Sequence, residues 1–282
     1  MNKKLKVATC QFAVSGSIKR NSRQISQFLL KAKKEKVDIV HFSECALSGY
    51  AVFDFNPFAG YDWDLLKQET KKIMFQAAEH KIWVILGSAH RLTEPNKPHN
   101  SLYLISPKGK IVGRYDKRFC TKFDLKYYMP GNRFVNFNVN GVKCSLLICF
   151  DLRFPEIYRQ LYKQGVNCIF QSFYNARQKG PSVHTQIMRQ TMQCRAATNL
   201  FWISCANSSG YYSPYPSHFI QPDGVIVKQL RMNRGGMMVN TVDLSKKLYD
   251  PMAGFRDMAI AGKLSNCPTP TMYKRSKNTR VL

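Results

Sequence analysis

Lys143-Cys-Ser-Leu-Leu-Ile-Cys149, followed at once by Phe150-Asp-Leu-Arg-Phe-Pro155-Glu156 and then Ile157-Tyr-Arg-Gln-Leu-Tyr-Lys163, decides how this chain folds. Five of the first seven residues are apolar or thiol, which reads as a buried strand. Pro155 then stands where the first turn of a helix tolerates a missing N–H. A strand that leaves sharply into a helix is the layout that presents a nucleophile at a strand end. The Cys149 thiol is therefore either a small core hydrophobe or a nucleophile, and this segment alone leaves both open.

The same alternation runs along the whole chain. Residues 5–12, 38–43, 83–88 and 101–106 read as strands, with 109–115 returning as a hairpin arm. Residues 21–36 and 62–81 carry apolar side chains at helical spacing, among them Ile25, Phe28, Leu29 and Ala32. After Cys149 the pattern predicts a helix over 155–164, a strand over 167–171, a helix over 184–198 and a strand over 201–206. Hairpin strands near 217–221, 225–229 and 236–242 follow. Alternating elements predict an α/β fold with helices outside, but do not choose between one doubly wound sheet and two stacked ones.

Two further strand ends carry chemistry. Val37-Asp-Ile-Val-His-Phe-Ser-Glu44 runs an apolar strand into a lone carboxylate, before Ser48-Gly49 breaks the regularity. An unpaired buried carboxylate is costly, so Glu44 needs a partner. Gly109-Lys-Ile-Val-Gly-Arg-Tyr-Asp-Lys117 ends a β-rich segment in a lysine. Acid, amine and thiol together can perform acyl transfer: the carboxylate takes the thiol proton, the thiolate attacks, and the ammonium stabilises the oxyanion. Singly, Glu44 could cap a turn and Lys117 could be one of many solvated lysines.

The segments Phe42-Ser-Glu44, Tyr115-Asp-Lys117-Arg-Phe and Ile148-Cys149-Phe-Asp-Leu-Arg-Phe-Pro-Glu156 resemble the three catalytic boxes of the carbon–nitrogen hydrolase (nitrilase) superfamily. The likeness extends to Val7-Ala-Thr-Cys-Gln-Phe, Asn100-Ser-Leu-Tyr-Leu-Ile-Ser-Pro-Lys-Gly-Lys, Cys194-Arg-Ala-Ala-Thr-Asn199 with Phe201-Trp-Ile-Ser-Cys-Ala-Asn207, and Gln221-Pro-Asp-Gly-Val-Ile-Val. It spans about residues 4–262 in unbroken order. The resemblance implies a four-layer α-β-β-α sandwich, commonly assembled into dimers or higher homo-oligomers.

It also implies roles. Glu44 would be general base and later acid, Cys149 the nucleophile that forms a thioester or thioimidate, and Lys117 the stabiliser of the tetrahedral intermediate. The backbone N–H of Phe150 would assist. The neighbouring cation is expected to lower the Cys149 thiol pKa. Tyr50 falls near the family's pocket, with packing as its other reading. Phe173, Tyr174, Asn175 and Arg177 fall where the family walls the nucleophile. Asn175 or Arg177 is a candidate for recognising a carboxylate or polar amide; strand-end packing is the other reading for Phe173 and Tyr174, and solvation for Arg177. His184 is a helix cap or a pocket residue, and Tyr211-Tyr-Ser-Pro-Tyr-Pro-Ser217 a loop that walls the pocket or meets another subunit.

One departure stands between Lys117 and Pro130. Many family members carry a second glutamate there; this chain has only Asp124, and either it takes over that role with a shifted loop, or the support is lost, or Asp124 is merely a turn residue. The residues after Cys149 resemble amide-cleaving branches more than true nitrilases. The implied activity is hydrolysis of a small linear amide or N-carbamoyl compound with release of ammonia, needing neither metal nor cofactor. A nitrile hydrolase and a catalytically decayed basic binding protein are the rivals.

Composition fits one sizeable enzyme domain, expected over 1–262, with a basic tail over 263–282. No apolar stretch suggests a signal peptide or a membrane span, and nine irregularly spaced cysteines suggest reduced thiols, so a cytoplasmic place is expected. The net charge of +26 is spread along the chain and accompanies no nucleic-acid motif. The expected partners are therefore a small-molecule substrate and a second copy of the chain, with neither nucleic acid nor membrane.

Overall fold

The computed structural model describes residues 3–175, 179–266, 278 and 280. The described residues fall into two units, one up to residue 248 and one from residue 249 on.

Within the first unit, twelve strands make two sheets of six. One sheet holds β1 (Lys4–Gln11), β2 (Ile39–His41), β3 (Trp83–His90), β4 (His99–Ile105) and β5 (Ile111–Asp116) side by side. The other holds β6 (Asn136–Val139), β7 (Val142–Ile148), β8 (Cys168–Ser172), β9 (Trp202–Ala206), β10 (His218–Ile220) and β11 (Ile226–Gln229), again in sequence order. The last strand, β12 (Gly236–Asp243), corrects the expected hairpin series. It crosses to the first sheet and pairs antiparallel with β1, Lys4 opposite Asp243 and Gln11 opposite Gly236.

Alternation along each strand assigns the faces. Leu5, Val7 and Ile39 turn toward the second sheet and share a core with Leu146 and Phe170. Ala8, Cys10 and Val40 turn the other way, onto α1 (Ile18–Lys34) and α2 (Trp63–His80). In the second sheet, Cys205 meets Met192 of α4 (Val183–Asn199), and Gln171 meets Tyr158 of α3 (Pro155–Lys163). Helices thus cover both outer faces, giving the four-layer α-β-β-α sandwich.

Helix starts follow their caps. The Ser17 hydroxyl accepts from Arg20 N–H, so α1 begins three residues before its apolar stripe suggested; Asp62 caps α2 at Leu65. Pro155 opens α3 as expected. In the second unit, α5 (Arg256–Ile260) follows a turn in which the Arg256 guanidinium pairs with Asp250. No helix among the described residues is long and apolar enough to cross a membrane.

Candidate active site

Glu44, Lys117 and Cys149 come from the ends of three strands, β2, β5 and β7. Glu44 and Lys117 meet directly. Lys117 Nζ donates to Glu44 Oε1 and to Asp124 Oδ2, each at 2.9 Å, with all three residues buried. Glu44 Oε1 also accepts from Asn100 Nδ2 at 2.7 Å, and Oε2 from the Tyr174 backbone N–H at 2.8 Å. This answers the need for a partner that a buried carboxylate carries.

Asp124 sits in a short 3-10 turn, Asp124–Lys126. Its Oδ2 accepts from the Thr121 N–H at 3.0 Å, and its Oδ1 from the Tyr50 hydroxyl. Tyr50 packs its ring 4.9 Å from that of Tyr174, with Lys117 Nζ 6.0 Å from the Tyr50 ring centre. The shorter acid at position 124 therefore reaches the ammonium.

Burial and charge set the protonation tendencies. Burial pushes the Glu44 carboxyl up, and Lys117 offsets this only in part. Burial opposes the Lys117 ammonium, but Glu44, Cys149 and Asp124 outweigh it and hold its pKa well above the usual lysine value. Burial also opposes the Asp124 carboxylate; the ammonium and the Tyr50 hydroxyl prevail and hold it below the usual range.

Cys149 occupies the turn out of β7 with φ +39°, a left-handed conformation that costs a non-glycine residue about 1–3 kcal/mol. Asn175 Nδ2 donates toward its Sγ at 3.5 Å. Burial and then Glu44 push its thiol up, and Lys117 does not cancel them. The neighbouring cation does lower the thiol pKa, as expected, but burial first and the Glu44 charge second outweigh Lys117, so the net shift is upward and the resting sulfur keeps its proton.

Asp151, two residues beyond, secures the turn. Its Oδ2 accepts from the Ile148 N–H at 3.0 Å and the Tyr115 hydroxyl at 2.7 Å, and its Oδ1 from the Phe119 N–H at 2.9 Å. One carboxylate so ties the nucleophile turn to both sides of Lys117.

The thiol opens on a cavity of about 190 Å³ lined by Tyr50, Lys117, Asp124, Phe150, Tyr174 and Asn175 among others. Arg153 and His184 also line it, 3.4 Å apart between guanidinium and Nδ1, so His184 is a pocket residue. The cap of α4 is Ser182 instead. Phe173 does not line the cavity. Its ring packs 5.7 Å from Tyr215 in the core, correcting its expected place in the wall; only its carbonyl reaches the site, accepting from Glu44 N–H at 3.3 Å. Arg177 and most of the tail over 263–282 lie outside the described residues. Of the aromatic loop, Tyr211 is exposed, while the Ser213 hydroxyl bonds the Asn175 carbonyl at 2.9 Å.

Sequence reasoning missed Asn100, Asp151, Arg153 and Asn207, whose Oδ1 accepts from the Asn175 N–H at 2.9 Å. Asn100, Asp151 and Asn207 carry the signal that marked Glu44, a polar residue within or at the edge of an apolar run. Among the described residues, no three His, Cys, Asp or Glu side chains gather as a metal site.

Acid, amine and thiol thus stand at the ends of β2, β5 and β7 of a two-sheet α/β sandwich. The carbon-nitrogen hydrolase family model matches residues 6–247, and the chain belongs to that family. It is 29% identical over 219 residues to a "Hydrolase in agr operon" of Staphylococcus lugdunensis, covering 73% of this chain and 88% of that one. It is 24% identical over 206 residues to the 2-oxoglutaramate amidase of Bacillus subtilis, covering 72% and 76%. An amidase of the nitrilase superfamily from Nesterenkonia shares the fold with TM-score 0.74 at 17% identity, over 86% of this chain and 92% of that one. The C. elegans NitFhit protein does so with TM-score 0.77 at 20% identity, over 86% and 62%.

Proposed function

We propose that this chain hydrolyses a small linear carboxamide or N-carbamoyl compound through a cysteine acyl-enzyme, releasing ammonia. The observation that carries the reading is the buried Glu44–Lys117–Asp124 chain beside a cavity whose wall includes the Cys149 thiol. Because the resting thiol is protonated, the reaction needs a base, and Glu44 is the carboxylate whose charge acts on that thiol more strongly than that of Asp124.

Glu44 takes the thiol proton as sulfur attacks the substrate carbonyl carbon. The negative charge passes to the carbonyl oxygen, stabilised by Lys117 and the Phe150 N–H. Protonated Glu44 then delivers its proton to the departing nitrogen as the C–N bond breaks, leaving a thioester and ammonia. Glu44 next deprotonates a water that attacks the thioester, and the acid leaves with the thiol restored. Asp124 keeps the ammonium charged and aimed. The small cavity favours a short substrate. Relatives named 2-oxoglutaramate amidase and omega-amidase support an amide over a nitrile, and Arg153 with His184 offers cationic and polar contact to an acidic far end.

The test is a panel of amides, ureido acids and nitriles assayed for ammonia, with Cys149→Ala as control. Ammonia from amides or ureido acids that vanishes in the control is expected. A chain inert toward all of them, yet shifting nucleic acid or capturing a protein, would sink the enzyme reading.

A further inference from the structure

His41 closes β2 three residues before Glu44 and lies wholly buried between the sheets. Both ring nitrogens are bonded, Nδ1 to Ser204 Oγ and Nε2 to Ser172 Oγ, each at 2.9 Å. Ser204 Oγ lies 2.7 Å from Thr9 Oγ1, and the Ser172 hydroxyl lies 2.9 Å from the Phe42 carbonyl.

Proton counting orders this chain completely. A carbonyl only accepts, so Ser172 donates its single proton to Phe42 and must accept from His41 Nε2–H. Neutral His41 then offers Nδ1 as an acceptor, Ser204 donates to it, and Thr9 donates to Ser204. A second ring proton would break that order, and burial holds the imidazole pKa down to about 3.

The chain ends where the base is set. Ser172 grips the residue 42 carbonyl; the Glu44 N–H donates to the Phe173 carbonyl at 3.3 Å; the Tyr174 N–H donates to Glu44 Oε2 at 2.8 Å. Asn175, next along, reaches the Cys149 sulfur. Segments 41–44 and 172–175 leave different sheets, and these cross-bonds tie one to the other beside the cavity.

We infer that His41 is a positioning residue, a neutral inter-sheet bridge that acts through Ser172 to set the Glu44 carboxylate against the Cys149 thiol. The kinetic part of this inference rests on the amide-hydrolase reading; the reactivity of the thiol does not.

The test replaces His41 by Phe, which keeps bulk without hydrogen bonds, and by Gln, whose amide N–H restores the donor toward Ser172. Iodoacetamide alkylation of Cys149, followed by peptide mass spectrometry, needs no substrate, and Glu44→Gln sets its base-independent floor. His41→Phe is expected to slow alkylation of Cys149 toward that floor and to lower kcat about 100-fold at little-changed KM, the scale of a displacement near 1 Å. His41→Gln is expected to regain most of both. Full alkylation rate and kcat in a folded but less stable His41→Phe protein overturn the inference. If that variant does not fold, Ser172→Ala is read the same way, and wild-type values there overturn it. Absence of amide turnover in the wild type would sink the function proposed above and leave the alkylation comparison intact.

Discussion

Asp124 Oδ2 lies 2.9 Å from Lys117 Nζ, the same distance that separates this ammonium from Glu44 Oε1. One buried cation therefore balances two carboxylates, and the second is supplied by an acid one methylene shorter than the family's usual glutamate. Its turn, Asp124–Lys126, brings the short side chain close enough.

Asp124→Asn keeps the shape but removes the second negative charge. Lys117 then pairs with Glu44 alone and ties that carboxylate down more firmly, making it a poorer base. The expected outcome is a fall in kcat of about 100-fold, the scale of a lost general-base contribution, with a smaller change in KM. Steady-state kinetics on the best amide found in the panel checks it.

Gly87 in β3 lies directly under the Glu44 turn. A Cβ there would stand 2.1 Å from the Ser43 carbonyl oxygen and 2.8 Å from the Cys45 nitrogen. Both are backbone atoms, so the turn itself must move. Gly87→Ala is expected to cost about 1–3 kcal/mol in urea unfolding, as overpacking does, and to remove most activity in the protein that folds. Wild-type activity in this variant would show that the turn tolerates displacement.

The pH profile follows from two raised pKa values. Glu44 must be ionised to act as base, and burial moves its carboxyl upward. The acid limb of kcat/KM is thus expected above the ordinary glutamate value of about 4.3. Cys149 keeps its proton at neutral pH, so its alkylation rate should still be climbing at pH 8. A rate that is flat from pH 5 upward would indicate a preformed thiolate.

His41 makes a separate prediction about stability. Its pKa is about 3 when folded and about 6.5 in an unfolded chain, so below pH 6.5 the unfolded state binds the extra proton. Stability is retained above that pH and lost as pH falls, by about 1.4 kcal/mol per unit. His41→Gln removes this slope. The stability gap between wild type and variant is expected to shrink by about 2 kcal/mol between pH 7 and pH 5, measured by urea unfolding at both.

Strand ends were legible where a lone polar residue interrupted an apolar run. Glu44, Lys117 and Cys149 stand out for that reason, and the three segments around them carry the family resemblance. Asn100 and Asp151 fit the same rule, but each holds backbone or another side chain in place, and no chemistry marks such residues in advance. Phe173 takes the other of its two readings, strand-end packing: its N–H continues the pairing with the Ala206 carbonyl and its ring joins the core beside Tyr215, which the resemblance alone does not reveal.

By itself, the amino-acid order determined the alternating elements and the residue types that could do acyl transfer, because these depend on neighbours a few positions apart. Only the tertiary structure decided that β12 leaves its apparent hairpin for the other sheet, that Lys117 is shared by two carboxylates, and that Cys149 rests as a thiol. Each of those depends on burial and on partners dozens of residues away, and desolvation is a property of the packed interior that no local pattern records.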